Sequence, residues 1–155
     1  MTAVAIAGEH DLDELLPLLR GYCDFYDVAP PDERLEALSR ALIADPRCEG
    51  VQLLARDDAG TAVGFATVYW SWQTLSAARL GVMNDLFVAP DARGRGVAEA
   101  LIAACRDACA AHGASTLAWQ TALDNTRAQA VYDRVGGRRW QWLDYSLDVE
   151  TRGAQ

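Results

Sequence analysis

VMNDLFVAPDARGRGVAEALIAACRDAC, residues 82–109, changes its period partway along. From Val82 to Val88 the residues are apolar, β-branched or aromatic except at Asn84 and Asp85, the pattern of a buried strand. Pro90 and Asp91 end that pattern with a turn. After Arg93-Gly94-Arg95-Gly96 the apolar positions fall at Val97, Leu101, Cys105 and Ala108, one stripe of a helix, with Ala98, Ile102 and Cys109 beside it. A strand thus feeds a glycine-rich turn that opens into a helix. This is an anion cradle: glycines let the backbone come close, the first-turn N–H groups point outward, and the helix dipole adds positive potential.

The spacing narrows the choice of anion. After Gly94 and Gly96 the third position of a dinucleotide fingerprint is Glu99, not glycine, and no Gly-Lys-Ser/Thr of a phosphate loop follows. All 14 basic residues are arginine, which removes lysine-dependent phosphate chemistry and Schiff-base catalysis. What remains is Arg93-x-x-Gly96-x-Ala98. Downstream, Asn125-Thr-Arg-Ala128-Gln-Ala-Val-Tyr132-Asp-Arg-Val-Gly136 forms a second element, Asn-x-x-Ala-x-x-x-Tyr-x-x-x-Gly, beyond one predicted helix and one predicted strand. Together and in this order, the two elements resemble those of the GNAT superfamily of acetyl-CoA-dependent N-acetyltransferases, in which the first holds the pyrophosphate of coenzyme A.

At 155 residues the chain is one domain's worth, residues 1–155, with no repeat, low-complexity tract or linker. Its 51% hydrophobic and 23% charged residues are those of an ordinary globular protein. No run reaches membrane-span length and no basic-then-apolar leader is visible, so a cytoplasmic protein without membrane contact is expected. The net charge of −8 speaks against nucleic acid, which needs clustered basic residues, and favours cationic ligands; it also serves plain solubility. Cys105, Cys109 and His112 share a helix face at i, i+4 and i+7, but that face is the helix's only apolar stripe. Burial is the reading, and no metal is expected.

Taken in order, Thr2 to Ala7 reads as a strand. Asp11 then caps a helix whose leucines at 12, 15, 16 and 19 are buried, and that helix fades at Gly21. The segment Gly21–Asp27 carries Tyr22, Phe25 and Tyr26 beside Asp24 and Asp27: an aromatic wall and anionic floor for an organic cation, or rings packed on a sheet. A second helix spans Pro31 to Ala44 and is stopped by Asp45-Pro46. Strands follow at Val51–Arg56, Ala62–Trp72 and Arg79–Val88 as an antiparallel meander, then the Arg-Gly helix ending at His112-Gly113. Thr116–Thr121 is a strand, Asp124-Asn125 starts a helix that Gly136-Gly137 ends, and Trp140–Val149 is the last strand. The expected fold is α/β: a mixed, mostly antiparallel sheet flanked by helices on both faces, order βααβββαβαβ, which is the GNAT order over essentially the whole chain.

The chemistry follows from the acceptor. A primary amine with a pKa of about 10.4 is neutral in roughly one molecule in 10³ at pH 7, so the site must take up a proton, steady an oxyanion and protonate a thiolate. His10 and His112 are the only histidines, which makes a Ser-His-Asp arrangement hard to build. The resemblance implies direct transfer. It places Tyr132 beside the sulfur as general acid, its phenol (pKa about 10) donating to a thiolate whose thiol pKa is about 8.5. It places the acetyl carbonyl on strand N–H groups at Leu86, Phe87 and Val88. The pyrophosphate falls on Gly94, Arg95, Gly96, Val97, Ala98 and Glu99, helped by Arg93, and Asn125 caps its helix and contacts the cofactor. Asp85 interrupts an apolar strand, where a carboxylate is costly unless paired, open to a cleft or used. It is a base or ammonium anchor, or a structural hydrogen-bonding residue, with Asn84 expected on the opposite side of the strand.

Gly64-Phe-Ala and Val82–Val88 resemble the diamine acetyltransferases, which act on spermidine, spermine and thialysine, but those carry a glutamate where this chain has Asn84. Trp140, Trp142, Asp144 and Tyr145 either line the same pocket or form an edge strand. The leading reading is acetylation of a small cationic amine. The alternatives are a peptide or protein amine, and a silent acyl-CoA-binding module. Many members of the superfamily are homodimers, and that assembly is an expectation here.

Overall fold

In the computed structural model, residues 2–149 are described. The elements are β1 (Ala3–Ile6), α1 (Leu12–Phe25), α2 (Asp32–Ala44), β2 (Gly50–Arg56), β3 (Ala62–Gln73), β4 (Ala78–Val88), α3 (Val97–His112), β5 (Ala114–Ala118) and α4 (Thr126–Arg134). The strands form one sheet in chain order, antiparallel from β1 to β4 and parallel between β4 and β5. This is the expected mixed α/β architecture through α4.

Apolar side chains sort onto two faces. Leu15, Leu18 and Leu19 of α1 pack with Leu54, Phe65 and Phe87 on one side of the sheet. On the other, Val97, Leu101, Ile102, Cys105 and Cys109 of α3 pack with Leu53, Val68 and Met83, and α4 lays Val131, Tyr132 and Val135 on the same core. Each fully buried leucine, such as Leu15, Leu54 or Leu101, contributes about 1.5–3 kcal/mol. Cys105 and Cys109 are thus core residues, and His112 stacks flat on Trp70 with ring centroids 4.0 Å apart. At the α1 start, Arg56 grips Asp11 at 2.7 Å and Glu14 at 2.6 Å. Burial alone would raise the Asp11 pKa, but the Gly8 N–H and the Arg56 guanidinium outweigh it and hold the carboxyl below its usual range.

Two expectations need correcting. The first helix does not fade at Gly21; α1 runs on to Phe25. Gly21 is small because β4 passes close: an added Cβ would stand 3.0 Å from the Phe87 ring. Tyr22 and Phe25 therefore lie on the helix, and Tyr26 at its C-cap, rather than in a loop.

The other correction concerns Trp140–Val149, which forms no strand. Its side chains are exposed, Leu147 at 91%, and Gln120 Nε2 donates to Asp144 Oδ1 at 3.1 Å. Alternation along a chain shows that a segment suits a sheet; it does not supply the partner strand.

The close packing of β4 on α3 is testable at Gly81. An added Cβ there would lie 2.3 Å from Cys109 Sγ. Gly81→Ala is expected to cost about 1–3 kcal/mol in urea unfolding. Cys109→Ala in the same chain should return part of that loss, so the two substitutions will be non-additive in a double-mutant cycle.

Candidate active site

The site begins with a parity break in β4. Met83, Leu86 and Val88 all face the α3 side, while Phe87 faces α1. In an unbroken strand Met83 and Leu86 would point to opposite faces. The register explains the slip: Thr67 lies opposite Asp85 and Val68 opposite Met83, leaving Asn84 without a partner in a β-bulge. The extra residue turns Asp85 toward α1. The expectation that Asn84 and Asp85 point to opposite sides is therefore corrected: Asn84 Nδ2 donates to Asp85 Oδ1 at 3.0 Å.

Phenols gather around that carboxylate. Tyr22 of α1 lies edge-on to Tyr26, Phe65 and Phe87, with centroids 5.1, 5.8 and 6.3 Å away. Burial raises the Tyr22 pKa well above that of an ordinary phenol, and the Asp85 carboxylate beside it and Tyr26 raise it further. Tyr69 of β3 is raised by the same pair of causes, burial first and Asp85 second. Phe25 and Tyr26 stack edge-on at 5.1 Å and are exposed, so they form the outer part of the aromatic group. Asp24 and Asp27 are exposed as well, and the carboxylate among the rings is Asp85.

Tyr69 was absent from the sequence-based candidates. It shares the α1 face with Phe65 and Thr67 through strict alternation along β3. The available signal was the run Tyr69-Trp70 beside a strand interrupted by Asn-Asp, but pairing β3 to β4 in register was needed to read it.

Beyond Val82, β4 and the edge strand β5 part. Their ladder ends at Val82 opposite Ala118, so Met83–Val88 keep an unpaired edge on the β5 side, about 20 Å of strand at roughly 3.3 Å per residue. That edge leads to the glycine turn. Gly94 and Gly96 sit at φ +77° and +80°, a left-handed conformation costly for other residues, and Gly96 is the N-cap of α3. The turn sends the first N–H groups of α3 outward. Arg93 Nε donates to Val88 O at 2.9 Å, fastening the turn to the strand end. Glu99 reaches across to α4, 2.6 Å from Arg134, and this guanidinium lowers its carboxyl pKa.

Tyr132 stands on α4, half-buried, edge-on to Trp119 at 5.3 Å. Burial raises its pKa, with a further contribution from Tyr26, so the phenol keeps its proton at neutral pH. Asn125 caps α4, its Oδ1 accepting from the Ala128 N–H at 3.2 Å, as the sequence predicts. The structure thus brings Asp85, Asn84, Tyr22 and Tyr26 together, sets Tyr132 on α4 beside Trp119, and runs an open strand edge from Asp85 to the Arg93–Glu99 turn.

An open strand edge ending at a helix N-terminus suits an extended ligand with an anionic end, and a carboxylate ringed by phenols suits a cation. This is the layout of an acyl-transfer enzyme working on an amine. Residues 14–137 match the model of the acetyltransferase (GNAT) family, and the chain belongs to that family. It is 32% identical over 147 residues to the protein named uncharacterized N-acetyltransferase YhfO of Bacillus subtilis (strain 168), covering 94% of this chain and 97% of that one. Among solved structures, a probable acetyltransferase superposes with a TM-score of 0.83 at 28% identity, over 97% of this chain and 99% of that one. The ribosomal-protein-alanine N-acetyltransferase of Brucella melitensis biovar Abortus 2308 does so with a TM-score of 0.74 at 26% identity, over 96% and 100%. The chain is an acyltransferase of the N-acetyltransferase type, and its family uses acetyl-CoA.

The Asp85 placement has a spectroscopic test. A carboxylate beside a phenol disfavours the phenolate, so Asp85→Asn should lower the Tyr69 pKa. Titration of ¹³Cζ-labelled tyrosine by NMR, with Tyr69→Phe for assignment, reads that shift. An unchanged Tyr69 would show that Asp85 faces elsewhere.

Proposed function

We propose that this enzyme transfers acetyl directly from acetyl-CoA to the primary amine of a small cationic substrate, polyamine-like or amino-acid-like, as a cytoplasmic homodimer of one-domain chains, residues 1–155. The observation that carries the reading is the bulge: it sets Asp85, braced by Asn84, among the phenols of Tyr22 and Tyr69 at the start of an open strand edge. An ammonium there gains a carboxylate and nearby aromatic faces, the latter worth about 0.5–2 kcal/mol. The net charge of −8 raises the local concentration of such a substrate.

Each residue then has a task. Asp85 anchors the ammonium and takes one proton from it, which frees the lone pair that attacks the thioester carbonyl; the second nitrogen proton leaves as the tetrahedral adduct collapses and, by way of solvent, restores the Tyr132 phenol. Tyr22, Phe25, Tyr26 and Asn84 line the acceptor side. The main chain of β4 turns the N–H groups of Leu86 and Val88 to the open edge and the acetyl carbonyl, whereas that of Phe87, in step with the Ala89 N–H that donates to Val63 O, faces β3. Acetyl-CoA supplies the activated acyl group and a thiolate leaving group. The residues fitted to hold it are Gly94, Arg95, Gly96, Val97, Ala98 and Glu99 through the backbone at the α3 start, with Arg93 beside them and Asn125 at the α4 cap. Tyr132 Oη gives its proton to the sulfur. Burial raises its pKa, so the phenol is protonated at neutral pH and available as the donor.

A second reading has one observation in its favour: the structure named for ribosomal-protein-alanine acetylation is 26% identical over nearly the whole chain. On that reading the acceptor is a peptide amine.

Release of coenzyme A thiol from acetyl-CoA with polyamines, thialysine, free amino acids, an aminoglycoside and short peptides separates these. Strong turnover with one small amine is the expected result, and preference for peptides would overturn it. Tyr132→Phe should lower kcat by about 10²-fold with little change in KM for acetyl-CoA. Unchanged kcat would remove Tyr132 from the chemistry.

A further inference from the structure

Three polar side chains are buried beneath α1 and α2, and the transfer chemistry leaves them without a task. Ser39 of α2 and Thr67 of β3 are fully buried, and Gln52 of β2 is 2% exposed. Their layer is otherwise built from Leu15, Leu54, Phe65 and Phe87, where an uncompensated polar group costs stability.

Register sets two of them in line with the site. Gln52 lies opposite Thr67, and Thr67 lies opposite Asp85, so the row Gln52–Thr67–Asp85 crosses three strands on the α1 face. Directly opposed residues hold their Cβ atoms about 4.5–5.5 Å apart. The bulge completes the row, because on the register of Val68 with Met83 alone Thr67 would meet Asn84 instead.

The hydrogen bonding along the row has a direction. Gln52 Nε2 donates to Thr67 Oγ1 at 3.4 Å. A hydroxyl that accepts from an amide still has its own proton to place. Gln52 Oε1 does not take it, being without a partner among the described residues. The main-chain acceptors of β3 serve the ladders with β2 and β4 on either side. The next acceptor in the row is the Asp85 carboxylate. At the other end, Ser39 Oγ and Gln52 Oε1 are a donor and an acceptor, both buried and without a partner among the described residues, where α2 packs on β2. One bound water between them would satisfy both and fix the amide with its nitrogen toward Thr67.

We infer that Thr67 is a positioning residue for Asp85: its hydroxyl, held by the Gln52 amide, gives its proton to the carboxylate and fixes it, ionised, toward the acceptor amine. Asn84 Nδ2 at 3.0 Å is a second donor to that carboxylate. The titratable groups facing it are Tyr22 of α1, with Tyr26 beside Tyr22, and Tyr69 of β3. The inference deepens the acyl-transfer reading and rests on Asp85 as proton acceptor for its kinetic consequence alone.

Aspartate labelled at ¹³Cγ follows the titration of Asp85 by NMR without any substrate, its signal assigned by loss in Asp85→Asn. Thr67→Val keeps the shape of the side chain and removes the hydroxyl. Losing a donor to the charged form favours the protonated carboxyl, so the midpoint should rise by about one pH unit, a tenfold change in proton affinity. Thr67→Ser should restore the wild-type midpoint, and Gln52→Met, which frees the hydroxyl to turn, should move it upward. An unmoved midpoint in Thr67→Val, or an equal rise in Thr67→Ser, overturns the inference. In thiol release from acetyl-CoA, with the fastest acceptor among the polyamines, thialysine and free amino acids, the acidic limb of kcat/KM should move up with Thr67→Val and return with Thr67→Ser. A titration that moves while the limb stays upholds the row and removes Asp85 as the proton acceptor.

Discussion

One residue too many in β4 decides how this molecule is arranged around its chemistry. With Asn84 unpaired against β3, the strand advances by one position without crossing to the other face, and Asp85 comes to lie with Phe87 beneath α1. Without the bulge, Asp85 would point into the apolar layer that α3 covers, where an ionised carboxylate would cost several kcal/mol. The extra residue also bends and twists the strand locally, as bulges do. Beyond it, β4 no longer follows β5.

That parting is the second consequence. Parallel strands held along their full length would pair every N–H and C=O; here the ladder stops at Val82, and the free edge of β4 continues to the glycine turn. The two ends of this edge have opposite characters. Near Asp85 lie a carboxylate and phenols. At the α3 start lie outward N–H groups, a helix dipole and the Arg93 and Arg95 side chains. In a chain of net charge −8 the arginine-bearing turn is a local exception, and it is where an anionic cosubstrate would need one. Packing of α4 on the α3 core and of Tyr132 on Trp119 sets Tyr132 relative to that turn, and the largely exposed Glu99–Arg134 pair bridges the two helices.

A shared physical origin links the correction at Gly21 and the aromatic group. Helix propensity counts glycine as a breaker, at about 1 kcal/mol against alanine, yet α1 continues through it. Close approach to Phe87 offsets that cost, because a Cβ there would stand 3.0 Å from the ring and crowd the packing of α1 on β4. The glycine that weakens the helix locally thus suits its contact with the strand that carries Asp85.

Element order, the glycine turn and the two family elements were legible in the chain because each is written over a few neighbouring residues. A 3.6-residue period, a left-handed glycine at Gly96, or Asn125 capping α4 needs no distant partner to be recognised. Tertiary structure alone decided the bulge at Asn84, the orientation of Asp85, the membership of Tyr69, the length of α1 past Gly21 and the unpaired state of residues 140–149. All of these depend on which strand or helix lies opposite, and cross-strand register is a property of two segments far apart in sequence. Local chemistry names the groups that can act; pairing across the sheet determines which of them meet.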